Sequence, residues 1–113
     1  MIRNVVIIMS VDLYITAKRE VDIYETNITY NLAPMYYKAI DKDLGLKKLK
    51  GMTCEKALPI INKAVDDMIK NRKEYEKLNP SNGWGTYDGL LETFREMRTI
   101  CEDNPDGIFD MDL

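Results

Sequence analysis

The sequence predicts an α+β fold, in which a small, mostly antiparallel sheet packs against about three helices. Near both ends of the chain, apolar residues alternate at every second position, which is typical of strands. Between these ends, apolar residues recur every three or four positions, which is typical of amphipathic helices. We therefore expect residues 1–113 to form a single domain, whose sheet combines an N-terminal hairpin with a C-terminal strand.

The N-terminal hairpin is predicted from two alternating segments. Residues 2–16 predict one strand or two joined strands, and residues 21–26 predict the next, with a polar connection of hairpin length between them. One face of the first segment is apolar at every second position: Val5, Ile7, Met9, Val11, Leu13 and Ile15. Residues 27–34 are more polar, so we expect them to leave the sheet and to lead into a helix that has Pro34 in its first turn.

Two helices are predicted in the middle of the chain. The first is short and covers residues 35–40. The second is the longest, and we expect it to begin after Thr53, which suits an N-cap, and to run toward Leu78 with a break near Asn71. Because Pro59 lies beyond the first turn of this helix and lacks an N–H group, we expect either a kink there or a later start.

The last helix and the closing strand are predicted from clear boundary signals. Thr86 suits the N-cap of a helix over residues 87–103, which carries an apolar stripe. Residues 104–107 have the sequence Asn-Pro-Asp-Gly, a strong turn signal, so the helix is expected to end there. Residues 108–113 alternate again and predict a strand that joins the hairpin, with its aspartates facing outward.

Composition and charge narrow the class of protein. A hydrophobic content of 45% with 31% charged residues predicts a packed core rather than disorder. The net charge of −3 argues against general nucleic-acid binding, which needs a basic surface. The apolar run from Val5 to Met9 is too short to span a bilayer, so we expect no membrane association. Cys54 and Cys101 lie in helical segments, where buried reduced thiols fit a cytoplasmic protein better than a disulfide does.

No catalytic or metal-binding pattern is visible in the sequence. Histidine is absent, which removes the commonest general base and metal ligand. The known glycine-rich phosphate loops, the zinc-protease pattern and the serine-hydrolase elbow are also missing. Asp12, Asp22 and Glu25 could converge on the sheet, but their spacing does not favour catalysis. We therefore expect a protein that is not an enzyme, with no catalytic residues, no metal and no cofactor.

Residues 79–87 form the most distinctive segment of the chain. They have the sequence Asn-Pro-Ser-Asn-Gly-Trp-Gly-Thr-Tyr and hold the only tryptophan, Trp84. Asn-Pro ends the preceding helix, Asn-Gly favours a turn, and Gly85 permits an unusual backbone conformation. Trp84 is therefore expected on a loop beside a helix N-terminus, where free N–H groups suit an anion or a nucleotide base. The alternative is that Trp84 fills the core and that the glycines only let the chain reverse.

Residues 27–31 are the expected companion of this loop, because both segments immediately precede a helix. If the two helix starts lie at the same end of the sheet, their amides, hydroxyls, aromatic rings and backbone N–H groups converge. The candidate ligand- or partner-binding residues are Asn27, Thr29, Tyr30, Asn31, Asn82, Gly83, Trp84, Gly85, Thr86 and Tyr87. The alternative role of Asn27, Thr29 and Asn31 is capping and turn bonding. Residues 47–50 hold three lysines, which we interpret as a solvated face, with a phosphate contact as the alternative.

Several short motifs, in order, resemble those of a family of small uncharacterised proteins found in phages and mobile elements. The motifs are Asn-Ile-Thr-Tyr-Asn-Leu at residues 27–32, Gly-Met-Thr at 51–53, Asn-Pro-Ser-Asn-Gly-Trp-Gly-Thr-Tyr at 79–87 and Pro-Asp-Gly at 105–107. The resemblance covers the chain from Ser10 onward. It makes residues 1–9 a possible N-terminal extension, because Met9 lies where such proteins tend to start. No established activity of the family can be carried over to these residues.

The resemblance implies a phage or prophage context and hence the cytoplasm of a host cell. Small phage proteins without catalytic motifs often counter host defence, so we expect a binding protein whose first candidate ligand is a nucleotide-like signal near Tyr30 and Trp84. One alternative is an inhibitor or adaptor of a host defence complex, similar to an anti-CRISPR protein, that binds through the same surface. Another is a non-catalytic structural protein that forms a homo-oligomer through an exposed strand edge.

Overall fold

The computed structural model describes residues 10–17 and 22–112. Three strands form one antiparallel sheet: β1 (Ser10–Thr16), β2 (Asp22–Thr29) and β3 (Ile108–Asp112). Strand β1 lies in the centre, between β2 and β3. The α+β fold and the sheet made of a hairpin and a C-terminal strand are therefore confirmed. The predictions for residues 1–9 and for the hairpin connection at 18–21 lie outside the described residues.

Helices fill the middle of the chain between β2 and β3. They are α1 (Ala33–Ala39), α2 (Cys54–Lys70), α3 (Arg72–Glu76) and α4 (Tyr87–Asp103), with short 3-10 turns over Tyr30–Leu32 and Gly45–Leu49. Helices α2 and α4 pack against each other, and the predicted break near Asn71 separates α2 from α3. Among the described residues, no helix is both long and apolar enough to cross a membrane.

The core lies between the helices and one face of the sheet. Alternation along β1 buries Leu13 and Ile15, which pair with the buried Met111 and Phe109 of β3. Helix α4 contributes the predicted stripe of buried side chains: Tyr87, Leu90, Leu91, Phe94, Met97 and Cys101. Burial of each large apolar side chain contributes about 1.5–3 kcal/mol. The strand-like alternation and the helix-like spacing of apolar residues in the sequence therefore mark the two surfaces that meet in the core, one from the sheet and one from the helices.

The cysteines belong to this core. Cys54 begins α2, Cys101 lies near the end of α4, and both are buried free thiols. Burial raises the pKa of each thiol, and the side chain of Cys54 raises that of Cys101 further. Both groups therefore stay protonated and serve as small apolar residues.

The expectation that the chain leaves the sheet at Asn27 is wrong. Strand β2 continues to Thr29, because Ile28 is buried in the core and pairs with Val11 of β1. The Asn27 amide donates hydrogen bonds of 2.6 and 2.7 Å to two side chains of β1. A polar residue at this position therefore strengthens the ladder instead of ending it.

The longest helix begins after Thr53, as predicted, and the alternative of a later start is wrong. Thr53 is the N-cap of α2, and its hydroxyl accepts a hydrogen bond of 3.3 Å from the backbone N–H of Lys56. Pro59 therefore lies inside the helix on an exposed side. Because proline has no N–H, the carbonyl of Glu55 has no backbone donor four residues along. The helix forms despite this loss because its apolar face is buried.

We predict that Pro59→Ala stabilises the protein. The change restores the missing backbone hydrogen bond and removes a ring from the helix interior, which together are worth about 3 kcal/mol, while the unfolded chain regains about 1 kcal/mol of flexibility. Urea unfolding followed by circular dichroism should give a free energy of unfolding that is about 2 kcal/mol higher. The exposed Lys63 of the same helix offers a control, Lys63→Ala, with an expected change below about 0.5 kcal/mol. Unchanged or lower stability of Pro59→Ala contradicts this account of α2.

Candidate functional site

Two asparagine side chains hold the loop that carries Trp84. The Asn79 carbonyl oxygen Oδ1 accepts a hydrogen bond of 2.7 Å from the backbone N–H of Tyr87. The Asn82 Oδ1 accepts one of 2.9 Å from the backbone N–H of Trp84. Because each bond ties a backbone donor to a side chain of the same loop, the segment is fixed locally.

This loop contacts the end of strand β2 at Gly85. The φ angle of Gly85 is +95°, and a Cβ built there would lie 2.9 Å from Leu32 Cγ and 2.9 Å from Thr29 Cγ2. Only glycine allows the backbone to lie this close in this conformation. Beside this contact, the Asn82 amide donates a hydrogen bond of 3.2 Å to Asn31 Oδ1. The structure thus brings the two segments that the sequence singled out into direct contact.

A groove of about 380 Å³ lies where β2 meets the first turns of α4. The residues that line it are small, hydroxyl-bearing or apolar: Asn27, Ile28, Thr29, Leu32, Gly85, Thr86, Gly89, Leu90 and Thr93. We call it the threonine groove. Its volume is in the range of small-molecule and peptide side-chain sites. None of the described residues that line it is charged, so the groove suits an uncharged group.

Most of the N–H groups at the start of α4, which were expected to be free, are occupied. The Thr86 hydroxyl caps the helix and accepts a hydrogen bond of 3.0 Å from the Gly89 N–H. The Leu90 N–H bonds to the Thr86 carbonyl, and the Tyr87 N–H bonds to Asn79. The acidic Asp88 also lies in the first turn, where it complements the helix dipole. These groups leave little at this terminus to attract an anion.

Trp84 and Tyr87 have opposite environments. The Trp84 side chain is 62% exposed, so the alternative that it fills the core is wrong. Tyr87 is 1% exposed, and its hydroxyl donates a hydrogen bond of 2.6 Å to the Met68 carbonyl. The Arg72 guanidinium lies 5.0 Å above the centre of the Tyr87 ring. Tyr87 therefore anchors the loop from inside, while Trp84 presents its indole to solvent.

The remaining predicted residues lie at different places around this contact. Thr29 caps the 3-10 turn after β2 by accepting a hydrogen bond of 3.2 Å from the Asn31 N–H, as the capping alternative stated. The Asn31 amide adds a bond of 3.0 Å to the same hydroxyl. Gly83 is exposed in the loop. Tyr30 lines a separate groove beside α1, so the structure does not combine it with the Trp84 surface.

The acidic residues weighed as a catalytic group lie on the polar face of the sheet. Asp12, Asp22 and Glu25 each pair with an uncharged residue across the β1–β2 ladder. They are spread along the strands instead of meeting at one point. In the part of the chain that the structure describes, no group of three or more Asp, Glu, Cys or His side chains could hold a metal ion.

Small and hydroxyl-bearing residues at the start of α4 line the threonine groove: the N-cap Thr86, which was predicted, and Gly89 and Thr93, which were missed. Gly89 and Thr93 follow Thr86 at intervals of three and four positions, so all three lie on one face of the helix. This spacing of small residues is visible in the sequence and marks the face that approaches β2. Leu32 and Leu90 could not be assigned to the groove in this way, because apolar residues at such positions are normally predicted to lie in the core.

Comparison of the chain with protein-family models, with curated proteins and with solved structures found no match. The family resemblance therefore rests on the short motifs in the sequence. The phage context that it implies stays a prediction.

We predict that Gly85→Ala destabilises the protein more than Gly83→Ala does. Both glycines have a positive φ angle, +95° and +76°, so alanine is strained at either position by about 1 kcal/mol. Only at Gly85 does the new Cβ meet neighbours, whereas nothing lies within 4 Å of it at Gly83. Displacing Leu32 and Thr29 adds about 2 kcal/mol. Urea unfolding of the two variants measures the difference, and equal losses of stability contradict the contact.

Proposed function

We propose that this protein is a non-enzymatic binding protein that docks on a partner protein through Trp84 and the threonine groove. The exposed Trp84 side chain, on a loop held by Asn79, Asn82 and Gly85, carries the proposal. Tryptophan is among the residues that dominate binding energy at protein interfaces. Because the loop is already ordered, little conformational entropy is lost when the indole is covered.

The chemistry of the groove supports a neutral polypeptide segment as the bound group. The Thr93 hydroxyl donates to the Gly89 carbonyl at 3.0 Å and retains acceptor capacity. The Thr86 hydroxyl accepts from the Gly89 N–H and retains its own proton to donate. These hydroxyls suit the carbonyl and N–H groups of a partner's backbone, and the buried side chains of Leu32 and Leu90 make part of the lining apolar.

A nucleotide-like signal, the first candidate from the sequence, fits this site less well. A phosphate needs cations or free N–H groups, and the described lining of the threonine groove has no Lys or Arg. Of the nearby cations, Arg72 already pairs with Asp88 and Glu76, each at 3.1 Å. The exposed indole of Trp84 still offers a stacking surface to a base, so this ligand is kept as the rival.

The biological setting of the proposal comes from the family resemblance. This resemblance supports the proposal that the protein comes from a phage or mobile element and acts in the cytoplasm of a host cell. There it would bind a host defence complex as an inhibitor or as an adaptor. A homo-oligomer formed through a strand edge is the alternative. The outer edge of β3 is already covered, because Phe109 exchanges backbone hydrogen bonds of 2.7 and 2.9 Å with Gly51 and Met52. Such pairing would therefore use the outer edge of β2.

We predict that Trp84→Ala abolishes the binding of the partner protein. Affinity capture from bacterial host lysate should yield a protein that is lost with this variant and retained with Ile69→Ala. Ile69 is a matched control because it is 50% exposed and lies on α2. With the purified partner, calorimetry should show that Trp84→Ala raises Kd by at least about 30-fold, the factor that corresponds to about 2 kcal/mol at an interface hot spot.

The same residue separates the two ligand classes. Trp84 is the only tryptophan, so its fluorescence reports this surface alone. We expect no saturable change on titration with cyclic nucleotides and ADP-ribose derivatives. A saturable change that reports tight nucleotide binding, or an identical set of captured proteins for Trp84→Ala and the parent chain, contradicts the proposal.

A further inference from the structure

A second groove, of about 340 Å³, lies between α1 and the 3-10 turn over Gly45–Leu49. Three tyrosines, a leucine and a lysine form its rim: Tyr30, Tyr36, Tyr37, Leu44 and Lys47. We call it the tyrosine groove. It shares no lining residue with the threonine groove, so it is a separate feature of the surface.

Tyr36 lines this groove, and its hydroxyl has no hydrogen-bond partner among the described residues. The residue is 4% exposed, so its ring belongs to the core. No buried side-chain oxygen or nitrogen of the described residues lacks a hydrogen bond, and no described residue bonds the Tyr36 hydroxyl. The hydroxyl oxygen therefore keeps some contact with solvent, and Tyr36 is one of the residues that line the tyrosine groove. A phenol hydroxyl without a protein partner, on a residue that lines a groove, is an available hydrogen-bond donor for a ligand.

Tyr30 and Tyr37 line the same groove as Tyr36. Burial, with smaller contributions from the charge interaction with the neighbouring Tyr37 and Tyr30, raises the pKa of Tyr36 to about 12. The Tyr36 phenol is therefore protonated at neutral pH and can donate a hydrogen bond. Neither Tyr30 nor Tyr37 bonds its hydroxyl to another described residue. Phenol hydroxyls without protein partners in one groove are donors that suit the oxygens of an anion.

The walls of the groove offer flat apolar surface. The rings of Tyr36 and Tyr37 are stacked, with centroids 5.6 Å apart and planes inclined by 28°. Tyr37 is 40% exposed and Leu44 is 44% exposed, although both are large apolar residues. Exposed aromatic and apolar surface around a concave site favours a ligand with a planar ring.

The charge around the groove is positive in a chain that is negative overall. Residues 33–51 contain five lysines and two aspartates, a local net charge of +3, against −3 for the whole chain. Lys38 pairs with Glu74 at 3.9 Å, whereas Lys47 has no ion pair among the described residues. The Asp41 carboxylate accepts two backbone N–H bonds of 2.8 Å from its own turn, which hold its pKa below the usual value. Lys47 is therefore available to an anion at the rim.

We propose that the tyrosine groove binds a small organic anion that carries an aromatic ring, with an aryl phosphate as the chemical type. The ring would lie against Leu44 and the exposed face of Tyr37. The phosphate oxygens would accept hydrogen bonds from the tyrosine hydroxyls and from the Lys47 ammonium group. This site is independent of the docking surface at Trp84, and its occupation does not require a partner protein.

NMR titration of the isotope-labelled full chain with phenyl phosphate tests this site. We expect saturable shifts at Tyr36, Tyr37, Leu44 and Lys47, and at least about tenfold weaker binding of inorganic phosphate and of phenol, because each lacks one of the two recognised groups. Adenosine monophosphate serves as a second probe. Tighter binding than that of phenyl phosphate identifies a nucleotide as the source of the ring and phosphate, and weaker binding identifies a simple aryl phosphate.

Two variants localise the interaction. Lys47→Gln removes the ammonium charge, and Tyr36→Phe removes the hydroxyl while it keeps the ring in the core. Each should weaken phenyl phosphate binding by about fivefold, the effect of a partly exposed charge or hydrogen bond. Lys63→Gln, at an exposed position of α2, is the matched control and should leave binding unchanged. Shifts confined to other residues, unchanged binding by both test variants, or equal binding of inorganic phosphate would overturn the proposal.

Discussion

The close approach of the Gly85 backbone to Leu32 and Thr29 is the contact on which the candidate site depends. It joins the loop before α4 to the end of β2, two segments that are more than fifty residues apart in the chain. The hydrogen bond between Asn82 and Asn31 reinforces it at 3.2 Å. Because the two segments touch here, the first turns of α4 and the end of β2 form the two walls of one groove. The same contact fixes the loop from which Trp84 projects.

Two separate surface sites of the protein differ in charge and in the groups that they offer to a ligand. The threonine groove and Trp84 are uncharged and exposed, a combination that favours a protein partner. The tyrosine groove combines phenol hydroxyls with Lys47 in the positive part of the chain, a combination that favours an anion. The sequence grouped Tyr30 with Trp84, and the structure assigns them to different surfaces. The sequence analysis expected one site to provide both an aromatic platform and anion recognition. These two properties fit two separate sites better, the Trp84 surface and the tyrosine groove.

Much of the fold could be predicted from the sequence because local signals and burial agree there. Thr53 and Thr86 begin helices as N-caps, and alternation in β1 marks the core face of the sheet. Where the prediction was wrong, a tertiary contact outweighed a local signal. Ile28 holds its polar neighbours in β2, and the buried face of α2 tolerates Pro59.

The candidate site was harder to predict because it depends on contacts between distant segments. The convergence of residues 27–31 with 79–87 followed from their shared position before helices. Which aromatic side chain points inward depends on helix phase: Tyr87 lies three and four positions before Leu90 and Leu91 and therefore joins the buried stripe of α4. Trp84 precedes the helix, so no periodicity assigns its direction. The sequence showed that the loop holds side chains able to bond N–H groups. It did not show which N–H groups of α4 those side chains would bond.

The most direct test of the account is a nuclear Overhauser measurement on the labelled full chain. The Cβ position of Gly85 lies 2.9 Å from Leu32 Cγ and Thr29 Cγ2, so one Gly85 α-proton must lie close to the methyl groups of both residues. The account predicts strong cross-peaks from Gly85 to the Leu32 and Thr29 methyl groups, together with relaxation of the Trp84 backbone amide that matches that of α4. Missing cross-peaks, with fast backbone motion at Trp84, would contradict the claim that this contact builds the site.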